Sequence, residues 1–69
     1  MERQSVTSSN LASVGYEPET ETLEIEFLKS GVYQYYNVPL FMYERMMSAD
    51  SAGKFFNTEI KNVYAESKM

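Results

Sequence analysis

From Thr22 to Leu28 the side chains alternate in polarity. Leu23, Ile25 and Phe27 fall on one side and Thr22, Glu24 and Glu26 on the other. A period of two is the signature of a β-strand with one buried and one wet face. Turn chemistry brackets the run. Pro18-Glu19-Thr20-Glu21 precedes it, with Pro presetting φ at a turn corner. Lys29-Ser30-Gly31 follows, and Gly31 is free to take a positive φ at a hairpin corner. The flanking stretches also read as strands. In Leu11–Glu17, Ala12, Val14 and Tyr16 lie on one side and Leu11, Ser13 and Gly15 on the other; Val32–Asn37 is β-branched and aromatic. Strands joined by turns this short must pair antiparallel. The pattern predicts a three-stranded meander in which Tyr33 and Tyr35 share the apolar face with Leu23, Ile25 and Phe27, while Glu24 and Glu26 face solvent.

At Pro39 the period changes. Proline suits the first position of a helix, and Leu40, Tyr43 and Met47 then recur at helical spacing, with Glu44, Arg45 and Ser48 largely opposite. This is an amphipathic helix over residues 39–49. Asp50 or Ser51 can cap a second helix, along which Phe56 and Ile60 lie four apart, with Gly53 a turn earlier and Val63 just beyond. Gly53 costs helix propensity, which implies either a close backbone approach or a later helix start. Residues 1–8 carry no periodicity and read as a loose arm, and residues 66–69 as a fraying end. The expected fold class is α+β, a three-stranded antiparallel β-meander packed against two C-terminal α-helices, forming one domain over residues 1–69 with flexible ends at 1–8 and 66–69.

Composition then removes whole classes of chemistry. A chain of 69 residues is one domain at most. It holds no Cys and no His, so there is no disulfide, no thiolate nucleophile and no zinc site of the usual kind, and the commonest general base is missing. The apolar run through Pro39-Leu40-Phe41-Met42 falls far short of the roughly 20 residues that span a bilayer. No apolar segment opens the sequence, so the expected compartment is the cytoplasm. Glu24 and Glu26 share a strand face, but a solvated Glu-bearing sheet is far commoner than a catalytic dyad. The serines have no His to activate them. Gly15, Gly31 and Gly53 are too scattered to cradle a phosphate. The reading expects no enzyme, no metal and no cofactor.

Charge and aromatics are what remain. Residues 1–28 carry six Glu against Arg3, a balance of −5, and residues 29–69 carry five cations against four anions, a balance of +1, which together give the net −4. A solvated sheet face is the commoner reason for such asymmetry. Aromatic side chains on a sheet can stack unpaired bases, or they can supply the core of so small a domain. Any phosphate contacts would fall to Lys29, Arg45, Lys54, Lys61 and Lys68. Met42, Met46 and Met47 suit either an adaptable protein-binding helix or gap-filling in the core.

Two stretches carry a family resemblance. The first is Ser9-Asn10-Leu11…Gly15-Tyr16, Leu23…Phe27 and Gly31-Val32-Tyr33-Gln34-Tyr35-Tyr36-Asn37-Val38-Pro39. The second is Tyr43…Ala49-Asp50-Ser51-Ala52-Gly53-Lys54-Phe55-Phe56-Asn57…Ile60. Together they resemble the KTSC domain, named for the C-terminus of certain lysyl-tRNA synthetases and found also as small stand-alone bacterial and phage proteins. The family's central Tyr-x-Tyr maps onto Tyr33 and Tyr35. Through the synthetase association the resemblance implies an RNA-binding module in a translation-related setting. The candidate binding residues are Tyr33, Tyr35, Asn10, Lys54, Asn57 and Lys61. The alternative is a protein-interaction module that pairs with itself or a partner through an exposed strand edge or the Met-rich helix.

Overall fold

The computed structural model describes residues 1–69. The alternating run forms the centre of a sheet whose strands are β1 (Gln4–Ser5), β2 (Leu11–Glu17), β3 (Thr22–Phe27), β4 (Gly31–Tyr35) and β5 (Glu66–Lys68). They are antiparallel and lie in sequence order across the sheet. On one face pack helix α1 (Leu40–Ser48) and helix α2 (Ala52–Phe55), which runs on into a π-helical turn at Phe56–Ile60. The antiparallel sheet with two helices is as expected. The count of three strands is not, because both chain ends add an edge strand: β1 pairs with Val14 and Ser13, and β5 pairs with Tyr33, Gln34 and Tyr35. Strands of two and three residues carry too little sequence to show a period.

Register follows the alternation. Tyr35 sits opposite Leu23 and Tyr33 opposite Ile25, so the tyrosines share the core face as expected. The hairpin corner at Gly31 has φ +91°. Strand β2 departs from simple alternation. Leu11 and Val14 are both buried, although strict alternation puts them on opposite sides. The register shifts between Leu11 and Ser13, and this bulge turns Leu11 back onto the core face. The core joins these strand residues to Val38, Met42, Met46, Ala52, Phe56 and Ile60.

Helix α1 presents a different stripe from the one expected. Met42 and Met46 are its buried residues, Tyr43 and Met47 flank them, and Leu40 is 46% exposed. Pro39 caps the helix instead of occupying its first turn. The methionines fill the core, so the helix surface is not Met-rich as the protein-interaction alternative supposed. Ser51 caps α2 by accepting from the Lys54 amide at 3.2 Å. Gly53 is the close approach: a Cβ there would stand 3.0 Å from Ser8 Oγ. Val63, expected to extend the apolar stripe, is exposed.

The outer sheet face is not the bare solvated surface the alternation suggests. Glu24 is only 8% exposed. Arg3 pairs with its carboxylate, Gln34 Nε2 donates to its other oxygen at 2.8 Å, and Arg3 Nε also donates to Ser13 Oγ at 2.9 Å. Ser13 in turn donates to Glu26 at 2.9 Å, and Tyr36 OH donates to Gln34 at 3.1 Å. Burial alone would raise the Glu24 pKa. The Gln34 and Arg3 hydrogen bonds and the Arg3 charge outweigh it and hold that carboxyl below its ordinary range. The segment expected as a loose arm is what covers this face.

Candidate functional site

At one end of the sheet, on the helix side, lies an open cleft of about 570 Å³. Topology explains its place. The turn after β3 brings Leu28, Lys29 and Ser30 to the sheet end where β2 begins, next to Ser9 and Asn10. Leu28 N–H donates to Asn10 O at 2.9 Å and ties the two segments together. The π-helical turn supplies Phe56 and Asn57, its C-cap supplies Lys61, and β5 supplies Glu66. The extra residue in a π-helical turn re-aims the side chains that follow it, which is why such turns recur at functional sites.

The floor is aromatic. Phe27 packs edge-on against Tyr33 (5.6 Å between centroids) and against Phe56 (5.3 Å), and Tyr35 packs edge-on against Phe56 (5.3 Å). The two tyrosines therefore divide their roles. The Tyr35 ring is core at 2% exposure, yet the residue also lines the cleft. Burial, then the neighbouring Glu66 carboxylate, hold its phenol well above the usual phenol range, so it stays neutral. Tyr33 is half-buried, and Lys68 Nζ lies 5.9 Å from its ring centroid. The rim is polar. Asn10 accepts at Oδ1 from Ser9 Oγ at 3.0 Å, which leaves its amide NH₂ as the free donor.

Of the six residues expected from the sequence, the cleft gathers Tyr33, Tyr35, Asn10, Asn57 and Lys61; Lys54 is exposed on α2 and does not line it. Of the other charged residues in the cleft, Lys29 was expected as a candidate phosphate contact but not among the six site residues, and Glu66 was not singled out at all. The hairpin through Gly31 was the available signal for Lys29, since it must lie at the same sheet end as Asn10. Glu66 had no such signal, because the strand that aims it is three residues long. The charge asymmetry of the sequence is spatial as well. Glu17, the last residue of β2, and Glu19 and Glu21 of the β2–β3 connection lie at the opposite sheet end, and Glu24 and Glu26 lie on the opposite face.

The model of the KTSC domain family matches residues 7–64. The chain belongs to that family. A KTSC domain protein from Yersinia pestis has the same fold, with a TM-score of 0.97 and 43% identity over 99% of this chain and 96% of that one. An uncharacterised protein of Stutzerimonas stutzeri is 41% identical over 61 residues, 88% of this chain and 86% of its own. A lysine–tRNA ligase of a Nostoc species is 41% identical over 49 residues, 71% of this KTSC domain, and the match spans 9% of that enzyme's length. No helix of this KTSC domain is long and apolar enough to cross a membrane.

Proposed function

We propose that this KTSC domain is a non-catalytic binding module whose cleft takes an unpaired segment of RNA, in a translation-related setting. The observation that carries this is the convergence, in one cleft, of an aromatic floor, free amides and the amines of Lys29 and Lys61, with most of the carboxylates on another face or at the other sheet end. Unpaired bases are recognised by apolar and stacking contact plus hydrogen bonds to their edges, while cations hold the phosphates. Net charge opposes any nucleic acid, so the segregation of charge matters more than its sum. The likeness to part of a lysine–tRNA ligase, an enzyme whose named substrate is an RNA, supports the same reading by association.

The test is a titration of single-stranded RNA and of folded tRNA into ¹⁵N-labelled protein at low salt. Shifts centred on Asn10, Lys29, Tyr33, Asn57 and Lys61 are expected, stronger with the single strand. Unmoved cleft amides at millimolar RNA would overturn the reading. Weight would then pass to a protein partner at the start of α1, where Leu40 and Phe41 stand exposed side by side.

A further inference from the structure

We infer that the cleft selects guanine over the other bases, an inference that rests on the RNA-binding reading and deepens it. The argument concerns hydrogen-bond polarity at the rim. Glu66 lines the cleft with a carboxylate, which when ionised accepts and never donates. Asn10 lines it too; its carbonyl oxygen accepts from Ser9, while both N–H donors of its amide are free for a ligand. The rim therefore presents acceptors from one residue and donors from another.

Among unmodified RNA bases only one has a Watson–Crick edge complementary to a carboxylate at two adjacent positions. Guanine presents N1–H and the N2 amino group side by side, with the O6 acceptor beyond them. Adenine sets its amino donor beside the N1 acceptor, and cytosine sets its own beside N3. Uracil flanks N3–H with two carbonyl oxygens. Each of these three would bring a lone pair against the Glu66 carboxylate and could make at most one of the two hydrogen bonds that guanine makes. Guanine O6 in turn suits the Asn10 amide. Lys29 and Lys61 flank the same cleft and are placed to meet the 5′-phosphate.

The placement of Glu66 argues that the carboxylate belongs to the site. In β5 it stands opposite Tyr35, on the core face of the sheet and not on the outer one. It has no cation partner: the single ion pair in the structure is Arg3 with Glu24, on the opposite face. Lys68, two residues on along the same strand, is engaged over the Tyr33 ring. The Tyr35 hydroxyl is the hydrogen-bond neighbour of Glu66 within the fold, and that bond takes one of the four lone-pair sites of the carboxylate. A carboxylate with no cation beside it in a cleft with two lysines works against a pure phosphate site, and its remaining lone pairs suit a reader of N–H donors.

The experiment titrates the 5′-monophosphates of guanosine, adenosine, cytidine and uridine separately into labelled protein, following the cleft amides. The guanosine nucleotide is expected to bind about tenfold tighter than the other three, the discrimination one good bidentate pair supplies. Glu66→Gln, at an exposed position in a strand held by backbone bonds, should weaken the guanosine nucleotide and strengthen those of adenosine and cytidine, whose edges set a donor beside an acceptor as the new amide does, so that the guanine preference is lost. Equal binding of all four, binding of none, or a guanine preference that survives Glu66→Gln would overturn the inference. A guanine-free single strand and the same strand with one guanine separate the two levels of the argument. If both shift the cleft equally, guanine selection falls and RNA binding stands; if neither does, both fall.

Discussion

Tyr33 and Tyr35 form one motif in the sequence, yet they are two kinds of residue in the fold. Tyr35 is sealed between Leu23 and Phe56, and truncating a buried aromatic costs about 3–5 kcal/mol, much of what so small a domain has. Tyr35→Ala is expected to unfold the protein or lower its melting temperature sharply. Tyr33→Ala should cost clearly less, about 1–2 kcal/mol, because its ring is half-exposed. Thermal melts of the two variants decide this, and equal losses would contradict the division of roles. Since the Tyr35 phenol is held above its ordinary value, its contribution is present below about pH 10 and is lost as pH rises beyond that. Glu24 works in the other direction. Its folded pKa is depressed, so its contribution is present above its unfolded value of about 4.3 and is lost as pH falls through the folded one. Arg3→Ala removes the charge that depresses it and should cost about 1–3 kcal/mol at neutral pH. The acid-unfolding midpoint should also move to higher pH. An unchanged midpoint would mean that Gln34 alone holds the carboxylate.

Among the elements, the short edge strands are where sequence reasoning stopped and where the structure adds most. The three long strands and both helices were legible because five to seven strand positions between turn signals, or apolar residues recurring at helical spacing, rise above chance. The tilt of α1 was not. Leu40, Tyr43 and Met47 fit helical spacing as well as Met42 and Met46 do, and only the sheet beneath decides which stripe is covered. The bulge at Leu11 was equally hidden, since it costs no special residue type. Five of the six candidate site residues were legible through the family resemblance, while Glu66 depended on a strand too short to read. Strand β1 can be tested through Gly15. A Cβ on Gly15 would stand 2.6 Å from the Glu2 carbonyl oxygen, a backbone atom that can give way only if β1 moves. Gly15→Ala should destabilise the protein by about 1–3 kcal/mol, as overpacking does. It should also abolish hydrogen-exchange protection of the β1–β2 pairing while sparing the β3–β4 pairing. Intact β1 protection in that variant would show that the arm lies elsewhere.

For the whole molecule the central claim is that an acidic protein binds RNA through a local basic cleft. Its cations are few: Lys29 and Lys61 in the cleft, with Lys68 beside it over Tyr33. Each phosphate neutralised on a single strand contributes roughly −0.7 to the slope of log K against log salt, so three contacts give about −2. The direct measurement is that slope, taken by fluorescence anisotropy on a labelled single strand, for the protein and for the Lys29→Glu/Lys61→Glu double variant. The account predicts a slope near −2 for the protein. It also predicts binding reduced beyond detection in the double variant, whose exposed substitutions leave the melting temperature unchanged. A double variant that binds as tightly as the parent, with the same slope, would contradict the claim that this cleft is the RNA site.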